Sequence, residues 1–418
     1  ALEVLLAGGR STIFLGQGSY ELAAGYEISK PIRLIGGFED DGWRPQGSAA
    51  VLRWSGGRSD SDNDRSAAFA VTDGGALTMR RLELRSDRAG PIAEAEAGGS
   101  VVFEESEARS AGGVAFQLSG GKLTLDASSV AVPRGGRSIF AENGSSLTIE
   151  GSEVAPLDLR RTDYEIVGST IIATPITTEA ATALIATESR GTIGGTLFRA
   201  DAGEDLLLLI ETVSGRVSMS DVELRGEAAT GVTLLRSTNS AVEIDRSNLS
   251  AAGAARFVYG VISRGGELQL TNTILSVSDS GSVLGLSITG GNAALAHNTM
   301  LFSELERSFA LSVGELESLT LLNSQIHQLE SQGGEHTLLF VDGPIRKLVF
   351  AGNSLSGWLP ILTDGTVART SWGFTSPGII RRLEELERGA ESLSAISLLQ
   401  GHDNFVEPPD RAFAAGGE

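Results

Sequence analysis

The chain has 418 residues, enough for two or three ordinary domains, although repetitive all-β folds grow by added units and make length a poor domain count. Its 33 Lys and Arg against 53 Asp and Glu give a formal charge of -20, which repels nucleic acid and anionic membranes and makes polyanionic glycans poor partners unless a cation intervenes. The absence of cysteine excludes a disulfide framework and a thiolate metal site, and no apolar run approaches the ~18 residues of a membrane span, so the expectation is a soluble chain whose targeting segment is not part of it.

In chain order, the first chemically suggestive stretch is "SGGRSDSDNDRS", Ser55 to Ser66, where Asp60, Asp62 and Asp64 alternate like the oxygen ligands of a calcium loop. Arg65 then stands where such a loop needs glycine, and Val71 where it needs a bidentate glutamate, so a plain hydrophilic loop competes with the metal reading. Trp43 and Trp54 lie nearby and are candidates for stacking on a sugar ring or for closing the end of a core.

From Met79 onward a pattern recurs: apolar, any, apolar, two of any kind, then Ser, Thr or Asn, any, apolar. It runs through "LTMRRLEL", "VVFEESEA", "LTLDASSV" and "LTIEGSEV" to "LVFAGNSL", with anchors at the second apolar residue that include Met79, Phe103, Leu125, Ile149, Ile244, Leu270, Leu321 and Phe350. The mean period is about 25 residues, which marks a solenoid. A leucine-rich repeat would show a third spaced leucine and a helical return, and a propeller a longer unit with a closing signature; neither is present. The expected fold is therefore all-β, a right-handed parallel β-helix with one rung per repeat.

Within a rung the two apolar residues face inward from one strand, the next two form a tight corner, and the Ser, Thr or Asn points in to satisfy polar backbone that a buried turn would strand. That position is kept in ten of twelve repeats, with Leu82 and Val222 the exceptions, so Ser128 in "LTLDASSV" is a repeated structural device rather than a nucleophile. Near the end of the chain "TSPGIIRRLEELERGAESLSAISLLQG" places Ser376 as N-cap, Pro377 at the first helical position and Ile380, Leu383, Leu386 and Leu393 at helical intervals. The expected organisation is a solenoid with an N-terminal cap over residues 1–375 and a helical cap and tail over 376–418, the helix covering an otherwise open sheet edge.

The corners "NSLSG" (Asn353 to Gly357) and "GSTIIA" (Gly168 to Ala173) resemble those of the right-handed parallel β-helix superfamily of pectate-lyase type. The opening "ALEVLLAGGRSTIFLGQGSYEL" resembles its short capping helix and first rung, and "ISKPIRLIGGF" the rung that follows. "FAEN" (Phe140 to Asn143) and "FAGN" (Phe350 to Asn353), with "GGAL" and "GGVA", are similar to bacterial polymorphic outer-membrane proteins. The resemblance implies this fold and an extracytoplasmic setting, in the periplasm or on the cell surface; it implies no particular activity.

Chemistry on such a scaffold has to come from columns of outward residues. The position after the anchor reads Arg80, Glu104, Asp126 and Glu150 in successive rungs, a ladder of carboxylates that would raise a pKa or recruit a hard cation such as calcium, with Glu104 and Asp126 its ligands. A second column reads Glu83, Glu107, Ser129 and Glu153. Neighbouring rungs supply a carboxyl separation suited to retaining glycoside hydrolysis, but the N-x-D strand, D-D pair and G-H-G turn of related glycosidases are absent from the sequence. His297 falls in the corner column, and no two histidines have metal-ligand spacing. The leading expectation is a non-catalytic structural and binding protein with a protein or glycan partner and no obligatory cofactor. The competing one is a polysaccharide hydrolase or lyase working from the Arg80 to Glu153 face, with Glu104, Asp126, Glu150 and Arg80 as its catalytic candidates.

Overall fold

A computed structural model describes residues 11–367, interrupted by short stretches of which 39–48, 56–66 and 201–205 are the longest, together with 405–407. Asp60, Asp62, Asp64, Trp43, the N-terminal residues 1–10 and the helix expected after Ser376 lie outside the described residues, as does the expected boundary at 375/376. The described residues contain no helix. The chain winds about 12 turns of roughly 25 residues each as a parallel β-solenoid, and it divides into two compact units, Ala1–Asp201 and Ala202–Glu418.

In the first unit each rung carries three short strands. The anchor sheet stacks Pro31–Phe38, Ala76–Arg80, Ser100–Glu104, Lys122–Asp126, Ser146–Glu150, Asp163–Val167 and Arg190–Gly194, all parallel and in unbroken register across the repeats. After the corner comes a second sheet, with Leu82–Ser86, Glu107–Ser110 and Ser129–Ala131 among its strands, and then a return sheet that includes Val114–Ser119, Arg137–Glu142 and Leu157–Arg160. One exception to the parallel rule is Thr174 and Pro175, which pair antiparallel with Thr182 and Ala181. In the second unit neighbouring segments fuse into long bent strands, return with anchor in Gly231–Asp245 and Phe257–Thr271 and second sheet with return in Ile274–Thr289 and Thr299–Gly314, again in parallel register.

The repeat is built by alternation. Successive strand side chains point to opposite faces, so the two apolar positions of each repeat fall inside: Leu77 and Met79, Val101 and Phe103, Leu123 and Leu125, Leu147 and Ile149 are all at most 1 % exposed. Size is matched along a column as well as within a rung. Tyr164 occupies the first apolar position of its rung, and its ring lies where a Cβ on Gly191 of the next rung would come within 2.1 Å of it, so only glycine leaves the ring its place. Burial pushes the Tyr164 hydroxyl pKa up.

The corner is more constrained than the strands. Its second residue takes the left-handed region: Arg81, Glu105, Ala127, Gly151, Gly168 and Gly195 in the first unit have φ between 46° and 57°. In the second unit Asp221, Arg246, Asn272, His297 and Asn323 do the same, and Asn, Asp and His are the side chains that accept that region best. The following Ser, Thr or Asn then turns inward and does two jobs. Its hydroxyl donates to the carbonyl two residues back, as Ser128 Oγ does to Asp126 (2.7 Å) and Ser152 Oγ to Glu150 (2.8 Å). It also accepts the backbone N–H of the equivalent residue one rung earlier: Leu82 donates to Ser106, Ser106 to Ser128, Ser128 to Ser152 and Ser152 to Ser169, at 3.0 to 3.2 Å. Asn298 and Asn353 do the same with their Oδ1, accepting from Thr273 (3.0 Å) and Ser324 (2.9 Å). Leu82 needs no hydroxyl to be served, because the rung after it supplies the acceptor.

Ser152→Ala therefore leaves the buried N–H of Ser128 without an acceptor and is expected to cost about 1–3 kcal/mol, read as a lower urea midpoint with an unchanged slope, whereas Ser152→Thr retains most of the stability. Gly191→Val drives a side chain into the Tyr164 ring and is expected to cost a further ~1–3 kcal/mol by overpacking.

Candidate functional site

The carboxylate ladder is in the register the repeat implies. Arg80 stands beside Glu104, Glu104 beside Asp126 and Asp126 beside Glu150 on consecutive parallel strands, at the ~4.8 Å of strand spacing. The corner adds two charges that the column does not contain. Glu105, turned outward by its left-handed backbone (φ 47°), accepts from Arg80 Nη2 at 2.6 Å and Arg81 Nε at 2.7 Å, and Arg80 Nε also lies 3.9 Å from Glu104. Two guanidiniums and two carboxylates thus close the ladder at its first rungs, and Val167 ends it at the other, standing beside Glu150 with 41 % of its surface exposed. The hydrogen bonds from Arg81, then Arg80, hold the Glu105 carboxyl below the usual carboxylate range.

The second column is stitched differently. Glu83, Glu107, Ser129 and Glu153 are in register, and two of these carboxylates are met by an arginine two residues later on the same strand. Arg85 bonds Glu83 and Arg109 bonds Glu107, while Arg225 bonds Glu223 in the second unit. The spacing of two puts both side chains on one face. The same Asp-x-Arg spacing recurs at Asp158 and Arg160 on the return sheet, with a different outcome. Asp158 is 1 % exposed. It is held by Arg160 through Nε and Nη2, both 3.2 Å, and by Arg137 Nε at 3.0 Å, and both guanidiniums lie over the ring of Phe140, 5.1 and 5.9 Å from its centroid. Sequence reasoning missed this cluster because Arg137 and Phe140 belong to the rung before Asp158.

In the second unit the outward columns of the anchor sheet are less charged. Arg216, Ala241, Glu267, Asn292 and Ser318 form one, and Ser218, Glu243, Gln269, Ala294 and Thr320 the next. Ala241 and Ala294 are shorter than their neighbours, and the surface sinks there into an open depression of about 190 Å³ lined by both columns. Beside it Asp245 accepts from Asn272 Nδ2 and Thr271 Oγ1, each at 2.9 Å, and pairs with Arg246, which reaches Asp221 with its Nε at 3.0 Å and its Nη2 at 2.9 Å. The carboxyls of Asp245 and Asp221 are held below their usual values, Asp245 first by the Asn272 bond and Asp221 by the Arg246 bond. His297 is an exposed corner residue with φ 57°. His336, scattered in sequence, is packed inside with Nδ1 2.7 Å from Ser308 Oγ, and burial lowers its pKa.

One sequence-derived candidate is corrected. Trp54 is 2 % exposed, with Arg88 5.2 Å over its ring, so its indole belongs to the core and is not offered to a sugar. Among the described residues no three His, Asp or Glu side chains converge to hold a metal ion, the ladder of Glu104, Asp126 and Glu150 included.

No protein-family model and no curated protein matches the chain. Among solved structures, the periplasmic alginate epimerase AlgG is similar over 71 % of this chain and 82 % of its own, at 11 % identity and a TM-score of 0.42. The Streptococcus pneumoniae surface protein and adhesin PfbA is similar over 82 % and 94 %, at 9 % identity and 0.31. At these scores neither likeness bears on what the chain does.

Glu105 supplies the pH test. Its folded pKa is depressed, so the stability it contributes is present above the carboxylate's unfolded value of 4.5 and is lost as pH falls through the folded one. Because the pair is exposed, the effect is expected to be below about 1 kcal/mol. Thermal melts of the wild type and Glu105→Gln should differ at pH 7 and converge as the pH drops through and below the carboxylate range, with the pH 7 difference shrinking in 1 M salt.

Proposed function

We propose that the chain is a non-catalytic, extracytoplasmic structural and binding protein that presents the lateral faces of its solenoid to protein or glycan partners. The observation that carries this reading is the commitment of the acidic columns. At the first rungs of the ladder, at Glu83 and Glu107 in the second column and at Glu223 in the second unit, a guanidinium from the same strand or a neighbouring rung meets the carboxylate, whereas Asp126 and Glu150 make no ion pair among the described residues. A general acid must hold a proton near neutral pH and a nucleophile must face a reacting atom; a carboxylate whose charge is fixed by arginine does the first poorly. Repetition points the same way, since the Glu-x-Arg pair serves successive rungs alike whereas a catalytic centre is built once. No helix among the described residues is long and apolar enough to cross a membrane, and the extracytoplasmic placement is part of the proposal.

The competing enzyme reading makes a direct demand on Glu104 and Asp126. In a screen of polysaccharides with and without calcium, followed by reducing-end release and by absorbance of unsaturated products, no turnover is expected. Turnover that disappears in Glu104→Ala or Asp126→Ala would overturn the binding-protein reading.

A further inference from the structure

The anchor sheet of the second unit carries a notch of mixed charge that the repeat does not require. Ala241 stands in one column between Arg216, one rung earlier, and Glu267, one rung later. Glu243 lies two residues further along the strand of Ala241, on the same outward face. An alanine between longer side chains leaves a gap, and the three charged residues all line the depression of about 190 Å³. By strand geometry the backbones of Arg216 and Glu267 are ~10 Å apart and those of Glu243 and Glu267 ~8 Å, spans that long side chains can close on a small molecule. A second gap, at Ala294, is flanked by Gln269 and Thr320 and is uncharged.

Several outward charges of this unit are paired locally: Glu211 with Arg236, Asp221 and Asp245 with Arg246, Glu223 with Arg225 and Glu317 with Arg346. Arg216, Glu243 and Glu267 are exposed and make no ion pair or side-chain hydrogen bond among the described residues, although Arg216 and Glu243 are on adjacent rungs. One guanidinium and two carboxylates are the complement of a ligand with one anionic and two cationic groups. Beside the notch Asp221, Asp245 and Arg246 add a net negative charge, which favours a ligand of net positive charge. Size narrows the class further, since sites for drug-sized ligands run to ~300–1,000 Å³ and a depression of about 190 Å³ suits one smaller molecule. No lining residue is aromatic, so the notch offers no ring on which a sugar would stack, and its two carboxylates disfavour phosphate and polycarboxylate ligands.

We propose that this notch binds a free basic α-amino acid, of which lysine is the simplest probe. The ligand carboxylate meets the Arg216 guanidinium, and the α-ammonium and side-chain ammonium meet Glu243 and Glu267. Lysine carries its second charge on a flexible four-carbon stem, which lets two ammoniums reach two carboxylates on neighbouring rungs. The inference goes beyond the protein- or glycan-binding reading and does not depend on it.

The test is a saturation-transfer NMR titration of the full chain at physiological ionic strength, where attraction from charges beyond ~8 Å is screened. Lysine is compared with three analogues that each lack one group: norleucine without the side-chain ammonium, Nα-acetyl-lysine without the α-ammonium, and cadaverine without the carboxylate. The expected result is weak, saturable binding of lysine, and binding about tenfold or more weaker for each analogue, because one charge-assisted contact is lost each time. Arg216→Ala should abolish the preference for lysine over cadaverine, a readout that general loosening of the fold would not give. Ala241→Leu, which fills the gap, should remove lysine binding, whereas Arg225→Ala on the second sheet should leave it unchanged. The substituted side chains point outward, so matching melting curves separate loss of binding from loss of fold. No binding of lysine, equal binding of cadaverine by the wild type, or full binding by both Arg216→Ala and Ala241→Leu would overturn the proposal while leaving a protein- or glycan-binding function on other faces intact.

Discussion

The structure depends on a single hydrogen-bond exchange at the corner. A chain that turns sharply inside a stack of sheets buries backbone N–H and carbonyl groups that no strand neighbour can reach, and an unpaired buried donor costs about 1–3 kcal/mol. Here the cost is avoided by making the turn with one left-handed residue and following it with an inward Ser, Thr or Asn that serves the rung before it. The arrangement is reciprocal along the stack, so each rung is completed by the next. This explains why the position is nearly invariant across repeats while the residues around it are not, and why Ser128, bonded to the carbonyls of both Asp126 and Phe103, has no freedom left for chemistry.

Fixing the corner fixes the electrostatics. Once the turn is locked, the residue after each anchor must lie over its equivalent in the next rung, and like charges there are held at strand spacing whether or not they repel. Arginine stands close to several of the outward carboxylates in one of three ways: one rung earlier, as Arg80 and Arg81 for Glu105; two residues later, as Arg85 for Glu83; or in the adjacent corner, as Arg246 for Asp221 and Asp245. Exposed pairs of this kind add little to stability. Their effect is to keep an acidic solenoid from being unpaired on every face.

Much of the architecture is legible in the sequence because the anchor and the corner keep a constant offset of three residues, which survives any change in rung length. The strand at Lys122–Asp126, the buried Leu123 and Leu125, the inward Ser128 and the register of Glu104, Asp126 and Glu150 all follow from that offset. The left-handed residue was half visible, in the Gly, Asn, Asp and His that fill several corners, but Arg81, Glu105 and Arg246 hide it because their long side chains do not announce a positive φ. The Glu-x-Arg pairs were present as letters too. They show along the strand, where a spacing of two puts both side chains on one face, and not down the column.

The sequence by itself determined the repeat, the inward and outward alternation and the polar corner, since each is a local pattern with a fixed spacing. Only the tertiary structure decided which surfaces the outward residues make. The return strands sit at no constant distance from the anchors: the step from Ile149 to Ile166 is short and that from Leu321 to Phe350 long. Phe140 over Asp158, or Tyr259 beside Leu284 and Phe309, therefore becomes a neighbour only when the rungs are stacked. Trp54 shows the same limit in reverse, because an indole reads alike in sequence whether it faces a sugar or the core, and packing between strands settled it.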